Sequence, residues 1–169
     1  MNIDFLNFNH EKYMELAIEE ALKAKNCGEV PVGAVIIDAD GNILSKAYNS
    51  PILLNDPTAH AEIIAIKKAG NVIKNYRLIN TTIYVTIEPC IMCMGAIINS
   101  RIKRLVFGAH EPKWGSSGSI YDFPNDSRLN HSPEVIKGIL ENECKSIIKK
   151  FFDLRRKTKY SNKGIEKLD

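Results

Sequence analysis

Two short stretches, each placed where a helix is predicted to begin, constrain most strongly what this chain can fold into. Residues 57–62 read Pro-Thr-Ala-His-Ala-Glu, and residues 88–93 read Glu-Pro-Cys-Ile-Met-Cys. The second stretch follows residues 81–87, a β-branched run without a breaker that predicts a central strand. Proline favours the start of a helix, so both stretches should open helices. We expect the fold to bring these two helix starts together.

Hydrophobic periodicity predicts helices that alternate with strands. Helical spacing covers residues 10–26, 59–69, 90–100 and the region from 139 onwards, and β-branched runs predict strands at 32–37, 43–47, 81–87, 104–107 and 135–137. The turn-forming residues 38–42 join the first two strands into a hairpin, and polar loops are predicted at 48–58 and 108–118. We predict an α/β fold with a mixed, helix-covered sheet that holds its ligand where strands lead into helices.

The apolar residues of the predicted helices indicate which faces are buried. In the second helix, Ile63, Ile64 and Ile66 are expected along the buried side. Cys144 falls on the apolar face of the last helix and is expected to be a core residue. Cys27 stands in a helix-ending Asn-Cys-Gly sequence and is expected to be structural.

Length and composition fit one domain. A chain of 169 residues can bury a full core, and its 44% apolar and 25% charged content is ordinary for a globular protein. The chain starts without a basic region followed by an apolar core, and no membrane span is visible. We therefore predict a cytoplasmic protein, in which a Cys-x-x-Cys pair indicates metal or redox chemistry before a disulfide.

The net charge of +3 is a property of the C-terminus. From residue 155 onwards there are six Lys or Arg against two acidic residues, and the rest of the chain carries 17 basic against 18 acidic residues. A basic end can contact nucleic-acid phosphates, and it can equally be a solvated, partly disordered tail.

The two stretches supply donors for a metal. Cys90 and Cys93 share one face of a helix, whose positive N-terminal end favours thiolates. His60 and Glu62 can share a site only at a helix start, so we place both pairs in first helical turns. Two thiolates and one imidazole suit Zn²⁺ and leave a position open, as in catalytic sites. We predict His60, Cys90 and Cys93 as ligands and Glu62 as the carboxylate that moves protons.

A closed structural zinc site and a redox Cys-x-x-Cys are the alternatives to the open zinc site. A closed structural site needs a fourth ligand, and none of the spare candidates is spaced as a partner: His10, Cys27, His110, His131 and Cys144. A redox Cys-x-x-Cys leaves the His-x-Glu pair unexplained. The combination of His-x-Glu with Pro-Cys-x-x-Cys is the recognised signature of the zinc nucleobase deaminases, which points to hydrolytic deamination.

Further stretches match a known pattern beside the zinc motif: 28–34, Asn49, 56–62, 75–78, 84–90, 108–113, Gly115, 117–119, 130–131 and 151–156. With them, nearly the whole sequence resembles the bacterial tRNA-specific adenosine deaminases of the cytidine/deoxycytidylate deaminase superfamily. The resemblance implies a cytidine-deaminase-like three-layer α/β/α fold with a five-stranded mixed sheet. It also implies one Zn²⁺ per subunit, a homodimer, and conversion of adenosine to inosine at the wobble position of a tRNA anticodon, with no membrane and no other protein partner.

The resemblance assigns roles to single residues as well. Asn49 would hold the purine edge of a base flipped into the pocket from the single-stranded anticodon loop. Further substrate contacts are implied for Ala61, Ile87, Glu111, Lys113, Asn130, Phe152, Arg155 and Arg156. Core packing is the alternative for one of Phe151 and Phe152, since both lie near an apolar stripe.

Some positions depart from the family's pattern. Glu111 stands where the family usually has Asp, Trp114 and Met94 replace small residues, and the loop 50–55 lacks arginines that some members carry. These departures concern RNA contacts more than the zinc centre. The expected organisation is a zinc-dependent deaminase domain over residues 1–157 and a basic, poorly ordered tail over residues 158–169.

Two rival functions remain open from the sequence. A deaminase of a free nucleobase such as guanine or cytosine shares the zinc motifs but has no need of an arginine-bearing last helix. A non-catalytic, zinc-bearing RNA-binding subunit can lose its proton-transfer carboxylate, and this chain keeps Glu62.

Overall fold

A mixed five-stranded sheet forms the middle layer of the protein. The computed structural model describes residues 8–165, with side chains over residues 8–157. The strands are β1 (Gly33–Ile37), β2 (Ile43–Tyr48), β3 (Thr82–Ile87), β4 (Arg104–Ala109) and β5 (Glu134–Lys137), in the order β2-β1-β3-β4-β5. β1 is antiparallel to β2 and β3, whereas β3, β4 and β5 run parallel. The predicted hairpin and the central position of β3 are confirmed.

Helices cover both faces of this sheet. The helices are α1 (His10–Asn26), α2 (Pro51–Leu54), α3 (Ala61–Ile73), α4 (Ile91–Asn99) and α5 (Glu141–Ile165). α1 and α5 pack on the face that carries Val35 and Tyr84, and α3 and α4 pack on the face that carries Ile36 and Val85. This alternation along the strands gives the expected three-layer α/β/α arrangement.

Two glycines allow helices to approach the sheet closely. A Cβ atom on Gly33 would lie 2.0 Å from the Ala17 carbonyl oxygen of α1, and one on Gly108 would lie 2.4 Å from Cys144 Sγ of α5. Cys144 is 1% exposed, so its prediction as a core residue is confirmed.

The prediction for the buried face of α3 is right only in part. Ile63, Ile64 and Ile66 are only partly buried, and the fully buried face consists of Ala61, Glu62, Ala65 and Ala69. Small side chains let α3 lie close to the sheet, and Ile64 and Ile66 pack partly buried against the core. This face also carries Glu62 inwards, where it can act.

The polar loop predicted at 48–58 contains the short helix α2. Pro51 occupies its first turn, and Asn55 ends it in the left-handed conformation at φ 50°. Four residues are too few for a periodic signal, so hydrophobic periodicity does not predict this helix.

At the C-terminus, α5 continues past residue 157 to Ile165. Side chains from residue 158 on, and all of residues 166–169, lie outside the described part, so the predicted disorder of 158–169 stays a prediction. Over the residues that were searched, none of the helices combines the length and apolar character needed to traverse a lipid bilayer.

Candidate metal and catalytic site

Both halves of the metal motif stand at helix starts. His60 is the N-cap of α3 and Cys90 is the N-cap of α4, each with extended backbone and without a capping hydrogen bond from its side chain. The prediction of first-turn positions is therefore wrong for His60 and Cys90, and right for Glu62 and Cys93. An N-cap side chain lies over the first helical turn, so the N-cap position explains better why each pair converges.

Backbone hydrogen bonds bring the surrounding segments together. Asn49 donates its N–H to the Val32 carbonyl at 3.0 Å, and Ser50 donates to the Ala59 carbonyl at 2.9 Å, immediately before His60. β3 leads through Glu88 and Pro89 into Cys90. The ends of β2 and β3 thus carry Asn49, His60 and Cys90 to one region.

The spacing of the three donors fits a tetrahedral zinc site. His60 Nδ1 lies 3.7 Å from Cys90 Sγ and 3.5 Å from Cys93 Sγ, and all three ligand atoms lie within 4.8 Å of one another. Zinc bonds of about 2.1 Å to nitrogen and about 2.3 Å to sulfur at tetrahedral angles require N···S separations of about 3.6 Å. The donor set and its spacing therefore suit Zn²⁺.

The donor set also leaves one coordination position of a tetrahedral metal site open. Among the described side chains, the group of His, Cys, Asp and Glu that could hold a metal consists of His60, Cys90 and Cys93. The spare candidates for a fourth ligand do not join it: His10, Cys27, His110, His131 and Cys144. Three protein ligands leave a coordination position for water or substrate, as in catalytic zinc sites.

Hydrogen bonding shifts the pKa values of Cys90 and Cys93 in opposite directions. A hydrogen bond with Cys93, helped by one with His60, lowers the pKa of Cys90 to about 4. The same bond with Cys90, together with burial, raises the pKa of Cys93 well above its usual range. The hydrogen bond with Cys90 also raises the pKa of His60. One thiolate is thus ready for a cation, and a coordinating thiol loses its proton on binding.

Glu62 is a buried carboxylate aimed at this site. It is 2% exposed and lines the cavity beside His60. Over the described residues, its Oε2 is the buried side-chain polar atom without a hydrogen-bond partner. Burial raises the pKa of the carboxyl above its usual range. A buried carboxyl beside a reacting group can act as both proton acceptor and proton donor in general acid–base catalysis.

The donors open into a cavity of about 660 Å³, the size of a small-molecule site. His60, Glu62 and Cys90 contribute the reactive groups. The other lining residues are largely apolar or come from loops: Val30, Val32, Asn49, Pro57, Ile87, Glu88, Ile91, Met92, Glu111, Trp114, Ile148 and Phe152. A planar, mostly apolar ring with a few polar edges fits such a lining.

Comparison with known proteins identifies the family. Residues 8–109 match the family model of the cytidine and deoxycytidylate deaminase zinc-binding region. The tRNA-specific adenosine deaminase of Haemophilus influenzae is 50% identical over 157 residues, which cover 93% of this chain and 91% of that protein. The chain belongs to the tRNA-specific adenosine deaminase family. Zinc is accordingly its cofactor, and the three donors described above could hold it.

Other relatives of the tRNA-specific adenosine deaminase family agree over most of their length. The enzyme of Bacillus subtilis is 43% identical over 156 residues, 92% of this chain and 96% of that protein. A solved structure from studies of A-to-I editing by tRNA:A34 deaminases superposes with a TM-score of 0.78 at 42% identity, covering 80% of this chain and 98% of that chain.

The structural likeness to a guanine deaminase is more limited. The guanine deaminase structure from Bacillus subtilis is 41% identical and covers 61% of this chain and 66% of that chain, with a TM-score of 0.58. The similarity to the tRNA:A34 deaminase structure and to the guanine deaminase structure is consistent with one fold shared by all three proteins.

The structure brings some of the residues implied by the resemblance to the cavity. Asn49 is 7% exposed and lines it, as do Ile87, Glu111 and Phe152. Phe151 is 7% exposed, whereas Phe152 is 42% exposed, so one member of the pair is core and the other faces the cavity.

The remaining residues implied by the resemblance lie outside the cavity lining. Ala61 is fully buried in the core. Lys113 is exposed next to Glu111, and Asn130 accepts a hydrogen bond from Arg101 at 3.0 Å. Arg155 lies over the Phe151 ring, and Arg156 pairs with Asp153. Their contacts with substrate stay predictions.

Several residues of the cavity lining are not predicted from the sequence. Trp114 is 66% exposed and lines the cavity, whereas the sequence indicates only that it departs from the family's pattern. An exposed Trp in a loop rich in Gly and Ser is a signal that could have identified it. The sequence predicts no role for Glu88, whose contacts come from residues more than 20 positions away.

Proposed function

We propose that this chain catalyses the hydrolytic deamination of adenosine to inosine at the wobble position, A34, of tRNA anticodons. The observation that carries the proposal is the buried, unpartnered carboxylate oxygen of Glu62, which lines the same cavity as the zinc donors His60 and Cys90. Family membership supports the substrate, since the relatives are tRNA-specific adenosine deaminases.

The proposed reaction replaces the amino group at C6 of adenine by oxygen from water and releases ammonia. Zinc held by His60, Cys90 and Cys93 supplies Lewis-acid polarisation and a lowered pKa of water at this site. Glu62 takes a proton from the attacking water and passes it to ring nitrogen N1. It then transfers the second proton to the departing amino group. Two protons are moved and Glu62 ends in its starting state.

Other cavity residues are proposed to hold the base for this chemistry. The Asn49 amide, 7% exposed, can pair with the purine edge, and Ile87 and Val30 can contact the ring faces. Extruding a base from its stack costs least in a single-stranded loop, which favours an anticodon loop as substrate.

The rim of the cavity favours RNA over a free base. Trp114 and Phe152 are exposed aromatic side chains at the lining, and aromatic rings stack on unpaired bases. Lys113, Arg155 and Arg156 are exposed nearby in sequence and can contact phosphates. A free base needs neither feature. The retained carboxylate of Glu62 argues against a non-catalytic subunit.

The deciding experiment is an assay of inosine formation on an anticodon stem-loop with A at the wobble position. Stem-loops with G or C at that position, free adenosine, guanine and cytosine are the comparison substrates. We expect inosine only from the first. Rapid deamination of a free base, with the stem-loop left unchanged, would contradict the proposal and favour the nucleobase deaminase.

Adjacent phenylalanines provide a matched test of the RNA-binding rim. Phe152→Ala should raise KM for the stem-loop by about tenfold, as expected for one lost base stack. Its effect on stability should be within about 0.5 kcal/mol because the ring is exposed. Phe151→Ala should instead cost about 3 kcal/mol of unfolding free energy, since that ring is buried. Steady-state kinetics and denaturant unfolding of both variants would show the reverse pattern if Phe152 were the core residue.

We also propose a cytoplasmic homodimer. Ile52, Leu53 and Leu54 are 60%, 58% and 56% exposed on α2, and such apolar groups mark contact surfaces. The four cysteines are free, as expected in a reducing compartment. Light scattering should give twice the chain mass, and a single-chain mass at micromolar concentration would contradict the dimer.

Cell fractionation should recover the protein with cytoplasmic markers, and recovery elsewhere would contradict the location.

A further inference from the structure

Glu88 is a buried carboxylate that the proposed proton transfer does not use. It is 1% exposed and precedes the metal donor Cys90 by two residues. Its Oε1 accepts hydrogen bonds from the backbone N–H of Ser117 at 2.8 Å and of Ser119 at 3.1 Å. Its Oε2 accepts from the Glu111 N–H at 3.2 Å and from the Ser119 hydroxyl, and lies 3.3 Å from His110 Nδ1.

These partners all belong to one segment, residues 110–119, which we call the wall loop. A carboxylate offers about four acceptor positions, and hydrogen bonds from the wall loop occupy them. Burying a carboxylate is costly unless it is bonded in this way, so the end of β3 and the wall loop stabilise each other. Glu88 is left with no free acceptor for a substrate.

Backbone contacts place the wall loop against the same point. Ser116 donates its N–H to the Pro89 carbonyl at 2.9 Å, and Cys90 forms an isolated β-bridge with Gly115. A Cβ atom on Gly115 would lie 2.5 Å from Glu88 Cδ. The loop therefore packs directly on the carboxylate, and only glycine fits there.

The position of the wall loop decides where two cavity residues stand. Glu111 and Trp114 both belong to it and line the cavity. Glu111 is itself bonded through its N–H to Glu88, and Trp114 precedes Gly115 at the point of closest packing. We propose that Glu88 is a positioning residue that fixes the wall loop as the substrate-binding wall of the cavity. It sets the affinity for RNA and leaves the rate of proton transfer unchanged, an inference that rests on the proposed function.

The test compares Glu88→Gln with Glu15→Gln, an exposed carboxylate of α1, in the full-length, zinc-loaded protein. Gln keeps the shape but replaces one acceptor oxygen by a donor, so a backbone N–H of the wall loop loses its partner. We expect KM for the stem-loop to rise about tenfold, the effect of one unsatisfied buried donor, with kcat within about twofold. Zinc content should stay unchanged, and amide hydrogen exchange over residues 108–120 should become faster. Glu15→Gln should leave all four measurements unchanged.

A fall in kcat at constant KM, a loss of zinc, or unchanged exchange of the wall loop would overturn the positioning role. If Glu88→Gln fails to fold, Ser119→Ala removes only the hydroxyl donor and is compared with the exposed Ser127→Ala. A smaller rise in KM at constant kcat is then expected, and an unchanged KM overturns the inference. Wild-type protein that leaves the stem-loop unchanged would remove the proposed function, whereas the exchange measurement still decides whether Glu88 holds the loop.

Discussion

Glu62→Gln should retain zinc and the fold and lose turnover by about 10³- to 10⁴-fold, the contribution of a positioned acid–base group. At 1.36 kcal/mol for each factor of ten, this corresponds to about 4–5 kcal/mol of activation free energy. Gln has nearly the same shape but cannot accept and return a proton. The effect should fall on kcat, with KM for the stem-loop little changed, because the proton moves only in the chemical step.

The same substitution should lower turnover without lowering the stability of the metal-free protein. Glu62 is 2% exposed with an unpartnered oxygen, and burial raises the pKa of its carboxyl. A carboxyl with a raised pKa contributes most to stability below its unfolded pKa, and this contribution is lost as pH rises through the folded pKa. Neutral Gln has no such penalty, so the melting temperature of the metal-free variant at neutral pH should equal or exceed that of wild type.

An exposed carboxylate provides the control for this experiment. Glu19 lies on the solvent side of α1, and Glu19→Gln should leave turnover, zinc content and melting temperature unchanged. Near-normal turnover of Glu62→Gln would remove the proton-transfer role. A large loss of turnover that came with loss of zinc would instead place Glu62 among the groups needed for metal binding.

The chemistry of the site could be predicted from residue types and spacing, because metal donors are few. Cys90 and Cys93 belong to one helix start, so their proximity follows from local geometry alone. That His60 joins them depends on the pairing of strands far apart in the chain, and the residue types indicated it, because two thiolates and one imidazole at helix starts form a donor set for Zn²⁺. The N-cap positions of His60 and Cys90 escaped prediction because periodicity fixes helix boundaries only to within a few residues.

The residues that form the substrate-binding walls were harder to predict from the sequence than the metal donors, for a physical reason. Glu88 binds donors from residues 111–119, and nothing periodic in the sequence links the two segments. On α3, apolar size predicts isoleucines at the buried face, but close packing on the sheet requires alanines there, and Ile64 and Ile66 are only partly buried. Loop contacts and close helix packing depend on the whole fold, whereas donors and their chemistry do not.

Cys90→Ala should lose its bound zinc and, with it, turnover. Removing one of three protein ligands leaves two donors, fewer than protein zinc sites use, so metal content should fall from about one ion per chain to near zero. Metal binding is coupled to folding, and the melting temperature in the presence of zinc should fall towards that of the metal-free protein. Metal analysis by mass spectrometry after gel filtration gives the stoichiometry, and the stem-loop assay gives turnover.

Two other cysteines separate ligand loss from the general effects of removing a thiol. Cys27→Ala changes an exposed cysteine at the end of α1 and should keep zinc, turnover and stability. Cys144→Ala changes a buried cysteine that packs on Gly108, so it should lower stability while zinc content stays at about one ion per chain. Full zinc content in Cys90→Ala would exclude Cys90 from the ligand set. Zinc loss in Cys144→Ala as well would mean that metal content reports fold stability and not coordination, which would require the ligands to be identified by spectroscopy of a cobalt-substituted protein.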